Sequence, residues 1–178
     1  WTLTSSQPWV SAVPASGLPG SFRILVSTAS TDASTERKAT LTLSAPSLAP
    51  VQVAVIQYGL SVVSPGLLAS WPAQTLDTLR YLTLSGPLDA RDFRVIRDMM
   101  PNLVHLDLSK TTIVSYTGED GTYPWGSISF PGDEIPTYAF YHPQTGAYKS
   151  ILATVLLPDN LRSVGAGAFY RCTGLRSM

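Results

Sequence analysis

Residues 154–178, TVLLPDNLRSVGAGAFYRCTGLRSM, repeat in outline the stretch just upstream, residues 127–151, SISFPGDEIPTYAFYHPQTGAYKSI. When the two stretches are aligned, equivalent residues fall together: Phe130 with Leu157, Pro131 with Pro158, Ile135 with Val164, and Phe140 with Phe169. Each stretch predicts a short strand that ends at the proline, because proline offers no N–H to a sheet. An apolar step into Ala-Phe follows. We expect Phe140 and Phe169 to occupy equivalent buried positions.

The strand pattern also extends towards the N-terminus as the template LxxLxL. Its members are Leu79, Leu82 and Leu84; Leu103, Leu106 and Leu108; Ile128 and Phe130; Leu152, Val155 and Leu157; and Leu175 with Met178. The second apolar positions are residues 82, 106, 128, 155 and 178, which are 24, 22, 27 and 23 residues apart. Leucine-rich solenoids repeat every ~20–29 residues with one strand per coil. The spacing therefore predicts a leucine-rich-repeat domain over residues 60–178, with about five short parallel strands.

One connection between these strands predicts a helix. In residues 85–102, SGPLDARDFRVIRDMMPN, apolar residues are spaced three and four apart at Phe93, Ile96 and Met100. Asp89 is a candidate N-cap and Asp92 follows three residues later, which is the spacing of a capping box.

Residues 1–59 predict β-strands separated by turns. Apolar residues alternate in three stretches: Phe22, Ile24 and Val26; Ala39, Leu41 and Leu43; Val51, Val53 and Val55. Segments rich in Gly, Pro and Ser separate these stretches. Short strands at this spacing predict an antiparallel, immunoglobulin-like β-sandwich. The expected fold class is thus mixed α and β, with a sandwich over 1–59 followed by the repeat domain over 60–178.

Composition and charge exclude several functions. The 178 residues include 12 Lys and Arg and 12 Asp and Glu, with no basic stripe, which argues against a nucleic-acid partner. No run reaches ~18 apolar residues, so we expect no transmembrane segment. Cys172 is the one cysteine, which excludes an internal disulfide framework and a cysteine-based zinc site.

The residue types of a catalytic triad occur together in His105, Asp107 and Ser109, but their order and spacing are wrong. On a strand, Ser109 would lie about 13 Å from His105, with the aspartate between them. In a triad the histidine stands between the other two groups. Neither His105 nor His142 has a second His or Cys at the spacing of metal ligands. We therefore expect no enzyme activity, no metal site and no cofactor.

Residues that the predicted core does not use are candidates for ligand binding. Tyr81, His105 and Asp107 alternate with the inward leucines, so we expect them on the outward face of the sheet. Tyr123 and Trp125 lie in residues 118–126, GEDGTYPWG, between two predicted strands. Flat aromatic rings can stack on sugars or anchor protein interfaces. Two alternatives stay open: the face is solvated without a ligand, and the rings only cover the neighbouring coil.

Parts of the chain also resemble two known families. Residues 157–175, LPDNLRSVGAGAFYRCTGL, resemble the BspA-type leucine-rich repeat, LPxxLxxIGxxAFxxCxxL. The segments WVSAVPASG, ERKATLTLSA and VAVIQYG resemble the BACON domain, through Trp9, Arg37, Ala39 and Gln57. The resemblances imply a bacteroidetes surface protein in an extracellular or outer-membrane location, with a lipoprotein as one option. The BACON resemblance implies a carbohydrate or mucin contact, and the repeat resemblance implies protein ligands such as host matrix.

From these features we expect a non-enzymatic extracellular binding or adhesion module that recognises a protein or glycan of a host or neighbouring cell. A structural spacer, or an accessory module of a glycan-degrading enzyme, are alternative interpretations. The resemblances also imply that the chain is cut at both ends, because the sandwich would lack its first strands and the fifth repeat unit stops at Met178. The sequence does not predict an oligomeric state.

Overall fold

A computed structural model describes residues 1–21, 23–29 and 37–178 of the chain. Phe22, which the alternating pattern places on a strand face, lies outside these residues. Strands dominate, with 38% of residues against 12% in helices. The strands are β1 (Thr2–Ser5), β2 (Val10–Val13), β3 (Leu25–Thr28), β4 (Arg37–Ser44), β5 (Val51–Ser61), β6 (Tyr81–Leu88), β7 (His105–Ile113), β8 (Tyr116–Gly118), β9 (Ile128–Phe130), β10 (Glu134–Ile135), β11 (Thr154–Leu156) and β12 (Ser163–Val164). The helices are a 3₁₀ turn (Leu67–Ser70), α1 (Ala73–Thr78) and α2 (Ala90–Met99).

A single mixed sheet runs through most of the chain, in the order β1-β4-β5-β6-β7-β11, and curls into a half-barrel. Strands β1, β4 and β5 pair antiparallel, whereas β5, β6, β7 and β11 pair parallel. Strand β5 belongs to both parts: residues 51–57 pair with β4 and residues 58–61 pair with β6. The predicted domain boundary at 59/60 lies inside this strand.

The predicted fold class is wrong. The described residues do not confirm a separate sandwich, because β5 continues from its pairing with β4 directly into the parallel part of the sheet, and the β2–β3 ribbon packs beside them. A leucine-rich solenoid is not evident in the described residues either. In a solenoid every coil adds one strand to the sheet, but β9 (Ile128–Phe130) pairs antiparallel with β8 in a sheet of its own. The last unit makes only an isolated bridge, between Thr154 and Ser177.

The misplaced strand has a local explanation. Strand β11 pairs directly with β7, with Thr154 opposite His105, and so occupies the sheet position that the template assigns to β9. Strand β9 has three residues, and β8 lies a short loop upstream of it. Closing a short loop costs little conformational entropy. The ring of Phe130 in β9 also stacks on Tyr116 of β8, at 6.2 Å between centroids. A local hairpin therefore replaces the expected parallel strand.

Two apolar cores stabilise the fold. The larger core contains the predicted leucines of β6 and β7, together with α2 and the fully buried ring of Phe140. The smaller core lies under β2 and β4 and contains Val10, Ala39, Leu41 and Val55. Two successive side-chain hydrogen bonds connect β4, β5 and β6. Arg37 donates to Gln57 Oε1 at 2.9 Å, and Gln57 donates to Thr83 Oγ1 at 3.1 Å.

Helix α2 begins as the sequence predicts. Asp89 is the N-cap, and its side chain and that of Asp92 form a reciprocal capping box. Asp92 is fully buried and also accepts the backbone N–H groups of Gly66 (2.7 Å) and Leu68 (3.1 Å). This carboxylate therefore fixes the 3₁₀ turn to the start of α2. Burial raises its pKa, and these N–H donors act against that rise.

The two similar C-terminal stretches lie side by side, as their alignment predicts. Strands β10 and β12 pair parallel with Ile135 opposite Val164. Phe140 N–H donates to Ala168 O at 2.9 Å, and the rings of Phe140 and Phe169 stack at 4.9 Å. Phe140 is fully buried and Phe169 half-buried. The equivalence of these positions is therefore confirmed, although Phe169 is less buried than expected.

Candidate functional site

Five aromatic side chains form a connected group on the surface, which we call the aromatic patch: Tyr123, Trp125, Tyr138, Tyr141 and Tyr170. Ring centroids are 5.1 Å apart for Tyr123 and Trp125 and 6.0 Å for Trp125 and Tyr138. The chain of contacts continues from Tyr138 to Tyr141 at 6.2 Å and from Tyr141 to Tyr170 at 4.8 Å. Tyr123 also lies 6.4 Å from Tyr138. The patch includes both aromatic residues that the sequence singled out in the loop.

The parallel register of the repeated stretches brings together two of the five rings of the patch, Tyr141 and Tyr170. Tyr141 and Tyr170 each follow the equivalent phenylalanine in the sequence Ala-Phe-Tyr. Because the two stretches lie in parallel register, the phenylalanines stack inside while the following tyrosines meet at the surface. The duplicated Ala-Phe-Tyr was therefore a sequence signal for Tyr141 and Tyr170, which the sequence analysis did not select.

Tyr138 occupies a conformation that its sequence does not favour. Its φ is 57°, in the left-handed region, where the equivalent position of the next stretch has Gly167 with φ 65°. A non-glycine residue there costs about 1 kcal/mol or more. The tyrosine ring also lies so close to Gly167 that a Cβ on the glycine would approach it to 2.7 Å. This strain is offset by the ring contacts that Tyr138 makes in the centre of the patch.

Arg97 of α2 holds the backbone under the patch. Its guanidinium is buried and donates to Thr122 O at 2.7 Å and to Tyr138 O at 3.2 Å. Thr122 Oγ1 in turn donates to Thr137 O at 2.5 Å. At the outer side of the loop, Gln144 donates to Pro124 O at 3.3 Å. The bonds of Arg97 attach the loop and the first repeated stretch, which together carry four of the five rings, to the same helix.

Exposure and charge vary along the patch. Trp125 and Tyr170, at its two ends, are 53% and 54% exposed, while the three rings between them are half-buried. Arg171 stands at the Tyr170 end, with its guanidinium 5.9 Å from the ring centroids of Tyr170 and Tyr148. Among the residues that the structure describes, this exposed guanidinium has no carboxylate partner. The patch therefore presents aromatic surface along its length and a positive charge at one end.

The other predicted site residues lie apart from the patch. Tyr81 and His105 are neighbours on β6 and β7, with ring centroids 6.4 Å apart, and both are half-buried. Burial lowers the pKa of His105, and the nearby charge of Asp107 acts against that decrease. No ring contact within the described ranges connects this pair with Tyr123 or Trp125. The structure thus separates the predicted residues into two groups.

The carboxylate of Asp107 is buried and hydrogen-bonded within the protein. It is only 1% exposed, and its Oδ1 accepts the backbone N–H of Ser109 at 2.9 Å and the hydroxyl of Ser109 at 2.6 Å. The carboxylate therefore bonds to its own strand, next to a register irregularity in the pairing of β6 and β7. The alternation that predicts Asp107 on the outward face does not make its carboxylate accessible to a ligand.

The described residues form neither a catalytic triad nor a cluster of metal ligands. Ser109 donates its hydroxyl proton to Asp107, and no hydrogen bond joins it to His105 in the described part of the chain, so these three side chains do not have the geometry of a catalytic triad. Within the described part of the chain, no three His, Cys, Asp or Glu side chains are grouped so that they could hold a metal ion. No helix there has the length and apolar character needed to cross a membrane.

Comparison with known proteins adds no further constraint. No protein-family model matches the chain, and no curated protein matches its sequence.

Proposed function

We propose that this chain is a non-enzymatic binding module of the cell surface, and that the aromatic patch is its recognition surface. The observation that carries the proposal is the connected row of rings whose two ends, Trp125 and Tyr170, are more than half exposed. Apolar rings left in water at both ends of such a row are available to a ligand. The ligand is a protein or a glycan of a host or neighbouring cell.

Two physical arguments support this use of the rings. Tyrosine, tryptophan and arginine are the residues most enriched among the strongest contacts of protein interfaces, and they bury much surface for few rotatable bonds. Two of the three backbone segments of the patch, those of Tyr123 and Tyr138, are also fixed before binding, because Arg97 holds them against α2. A preorganised site loses less conformational entropy when a ligand binds.

The location of the protein is part of the proposal. The resemblance of 157–175 to BspA-type repeats and of 1–59 to BACON domains stays a prediction, and it favours an extracellular or outer-membrane setting. The balanced charge of the chain, with 12 basic and 12 acidic residues, gives no field that would attract nucleic acid. A spacer role predicts instead that the folded protein binds no ligand through the patch.

The test compares wild type with a Tyr123→Ala/Trp125→Ala double variant on a panel of extracellular-matrix proteins and on a glycan array. The proposal expects wild type to bind at least one member of the panel and the double variant to lose at least tenfold in affinity. Val63→Ala, at an apolar residue that is 79% exposed and outside the patch, is the matched control and should bind as wild type.

Circular dichroism and thermal unfolding must first show that the double variant is folded. If wild type binds no member of the panel, or if the folded double variant binds as well as wild type, the patch is not the recognition surface. A Tyr81→Ala/His105→Ala variant, measured in parallel, tests whether the sheet-face pair contributes to the same binding.

A further inference from the structure

A cavity of about 490 Å³ lies beside α2, and none of the five rings of the aromatic patch lines it. Its walls are the 3₁₀ turn, helix α2 and the loop between β8 and β9. Pockets that bind small organic molecules have volumes of about 300–1,000 Å³. The cavity is therefore a candidate second site, independent of the recognition surface proposed above.

One part of the lining is apolar. Val95 of α2 is 7% exposed, and Met99, four residues later on the same face of the helix, is half-buried. Ala69 of the 3₁₀ turn also lines the cavity and is exposed. An apolar group of a ligand would lose contact with water against these side chains, which is favourable.

Two charged groups of the lining are hydrogen-bonded within the protein. Arg91 donates to both carboxylate oxygens of Asp89, at 2.7 to 3.2 Å. Asp98 accepts from Nε and Nη2 of Arg97, at 2.7 and 3.0 Å. Because each of these groups already has a close partner of opposite charge, neither is the group that would attract a ligand.

Arg94 differs from them, because its ion pairs are long. Its Nε lies 3.9 Å from Asp98 Oδ2, and its Nη1 lies 3.7 Å from Asp120 Oδ1, both beyond hydrogen-bond distance. A guanidinium has five N–H donors in a planar fork that fits a carboxylate. Within the described residues no close acceptor occupies this fork.

Asp120 shows where a carboxylate can approach Arg94. Its side chain is 80% exposed and belongs to the loop wall of the cavity. An exposed ion pair contributes little to stability, so a ligand carboxylate can replace that of Asp120 at little cost. A ligand would then form the short hydrogen bonds that the Asp120 carboxylate does not form.

We propose that the cavity binds a carboxylate joined to an apolar group, with the carboxylate on the Arg94 fork in place of Asp120 and the apolar group against Val95 and Met99. A group with one negative charge fits better than a phosphate, because the carboxylates of Asp98 and Asp120 would repel a second negative charge. Both a free apolar acid and the C-terminus of a peptide with an apolar last residue carry this chemistry.

The first probe is octanoate, added to the full chain and followed through the arginine Nε–H signals in NMR spectra. Arg94→Gln identifies the Arg94 signal by removing it. Octanoate should shift that signal and bind about tenfold more tightly than acetate, which lacks the apolar group, and than octanamide, which lacks the charge. Inorganic phosphate tests whether negative charge alone is enough for binding.

A short peptide that ends in leucine is the second probe, and its C-terminal amide is the matched control. Binding of octanoate assigns the ligand to free acids. Binding of the peptide but not of octanoate or the amide assigns the carboxylate to the end of a protein chain. Each of these results supports the site.

Four variants test the geometry, and their NMR spectra also show whether they are folded. Arg94→Gln, which removes the fork, and Ala69→Trp, which fills the cavity without changing a charge, should each weaken binding about tenfold. Asp120→Asn should strengthen it by up to about fivefold, because the competing carboxylate is lost. Arg162→Gln, at an exposed arginine that pairs with Asp133 and does not line the cavity, is the matched control.

The proposal is overturned if neither carboxylate probe binds, or if acetate or phosphate binds as tightly as the apolar acid. Unchanged binding in folded Arg94→Gln or Ala69→Trp, or weaker binding in Asp120→Asn, would overturn it as well. The aromatic patch is measured with other ligands and other variants, so the failure of either proposal leaves the other standing.

Discussion

Lys149 is a buried charged residue whose effect on stability can be tested by changing the pH. This lysine is only 3% exposed, and its Nζ donates to the carbonyl of Met100 at 2.5 Å, where α2 ends. Burial is the main reason why its pKa falls from 10.5 to about 8, with a smaller decrease caused by Arg97. The charges of Asp98 and Cys172 act in the opposite direction. The protein therefore holds a buried ammonium group at neutral pH against a cost in stability.

The size and sign of that cost follow from the two pKa values. A lysine pKa of about 8 in the folded state, against 10.5 when the chain is unfolded, corresponds to roughly 3 kcal/mol. Between pH 8 and 10.5 the unfolded state binds more protons at this site, so the free energy of unfolding rises with pH across that window. Below pH 8 the full cost is present, and above 10.5 it has disappeared. Lys149→Met removes this dependence.

The assay is urea unfolding of wild type and Lys149→Met between pH 7 and 10.5, followed by tryptophan fluorescence. Both proteins should carry Cys172→Ser, because the neighbouring thiol, whose pKa is raised by burial, titrates at alkaline pH. The stability of wild type relative to Lys149→Met should increase by roughly 3 kcal/mol from the lowest to the highest pH. Arg23→Met, at an exposed arginine, controls for the loss of one positive charge. A difference that stays constant with pH would refute the reasoning.

Two further predictions concern the repeated stretches. Phe140→Ala should lower the free energy of unfolding by about 3–5 kcal/mol, whereas Phe169→Ala should lower it less because its ring is half-buried. Chemical denaturation of both variants measures this order. Equal small losses in the two variants would contradict the stacked arrangement of the rings. Tyr138→Gly should be more stable than Tyr138→Ala by about 1 kcal/mol, the reverse of the usual order, because glycine removes the cost of the left-handed backbone conformation. Thermal unfolding of the two variants measures this difference. An alanine variant more stable than the glycine variant would show that the backbone at residue 138 is not strained.

Local signals in the sequence predicted local structure well. The N-cap at Asp89, its capping-box partner Asp92 and the apolar spacing of Phe93 and Ile96 predicted α2, which the structure confirms. Each of these signals acts over a few residues, so no distant part of the chain has to be known. The leucines of β6 and β7 were likewise predicted and are fully buried.

Pairing between strands could not be predicted in the same way. The template LxxLxL identified Ile128–Phe130 as a strand, which is correct, but it assigned that strand to the wrong sheet. A strand pattern records which residues point to one side, and not which edge the strand joins. The predicted exposure of Asp107 was wrong because alternation shows which side of a strand a residue faces but not whether its side chain is buried and bonded, as Asp107 is to Ser109.

The candidate site was predicted in part. Tyr123 and Trp125 were selected because no core position required them, whereas Tyr138, Tyr141 and Tyr170 were missed. Tyr138 follows no periodic pattern, and only the structure shows that it takes the left-handed conformation of its glycine equivalent. A sequence position that breaks a local rule in this way is where a functional constraint is expected.

Strand β9, which the template assigns to the parallel sheet, instead helps to position two of the five rings of the patch. Because β9 folds back on β8, the loop over residues 119–127 projects from that hairpin and does not run across the sheet as a connection between parallel strands. Tyr123 and Trp125 are carried by this loop to Tyr138, and Arg97 fixes the loop and the Tyr138 backbone to one helix. If β9 were parallel to β7, residues 119–127 would have to cross to the sheet as a connection between parallel strands. In that position they could not form the hairpin loop that now holds Tyr123 and Trp125 against the repeated stretches. The departure from the repeating pattern thus supplies two of the five rings, and the repeated stretches supply the other three.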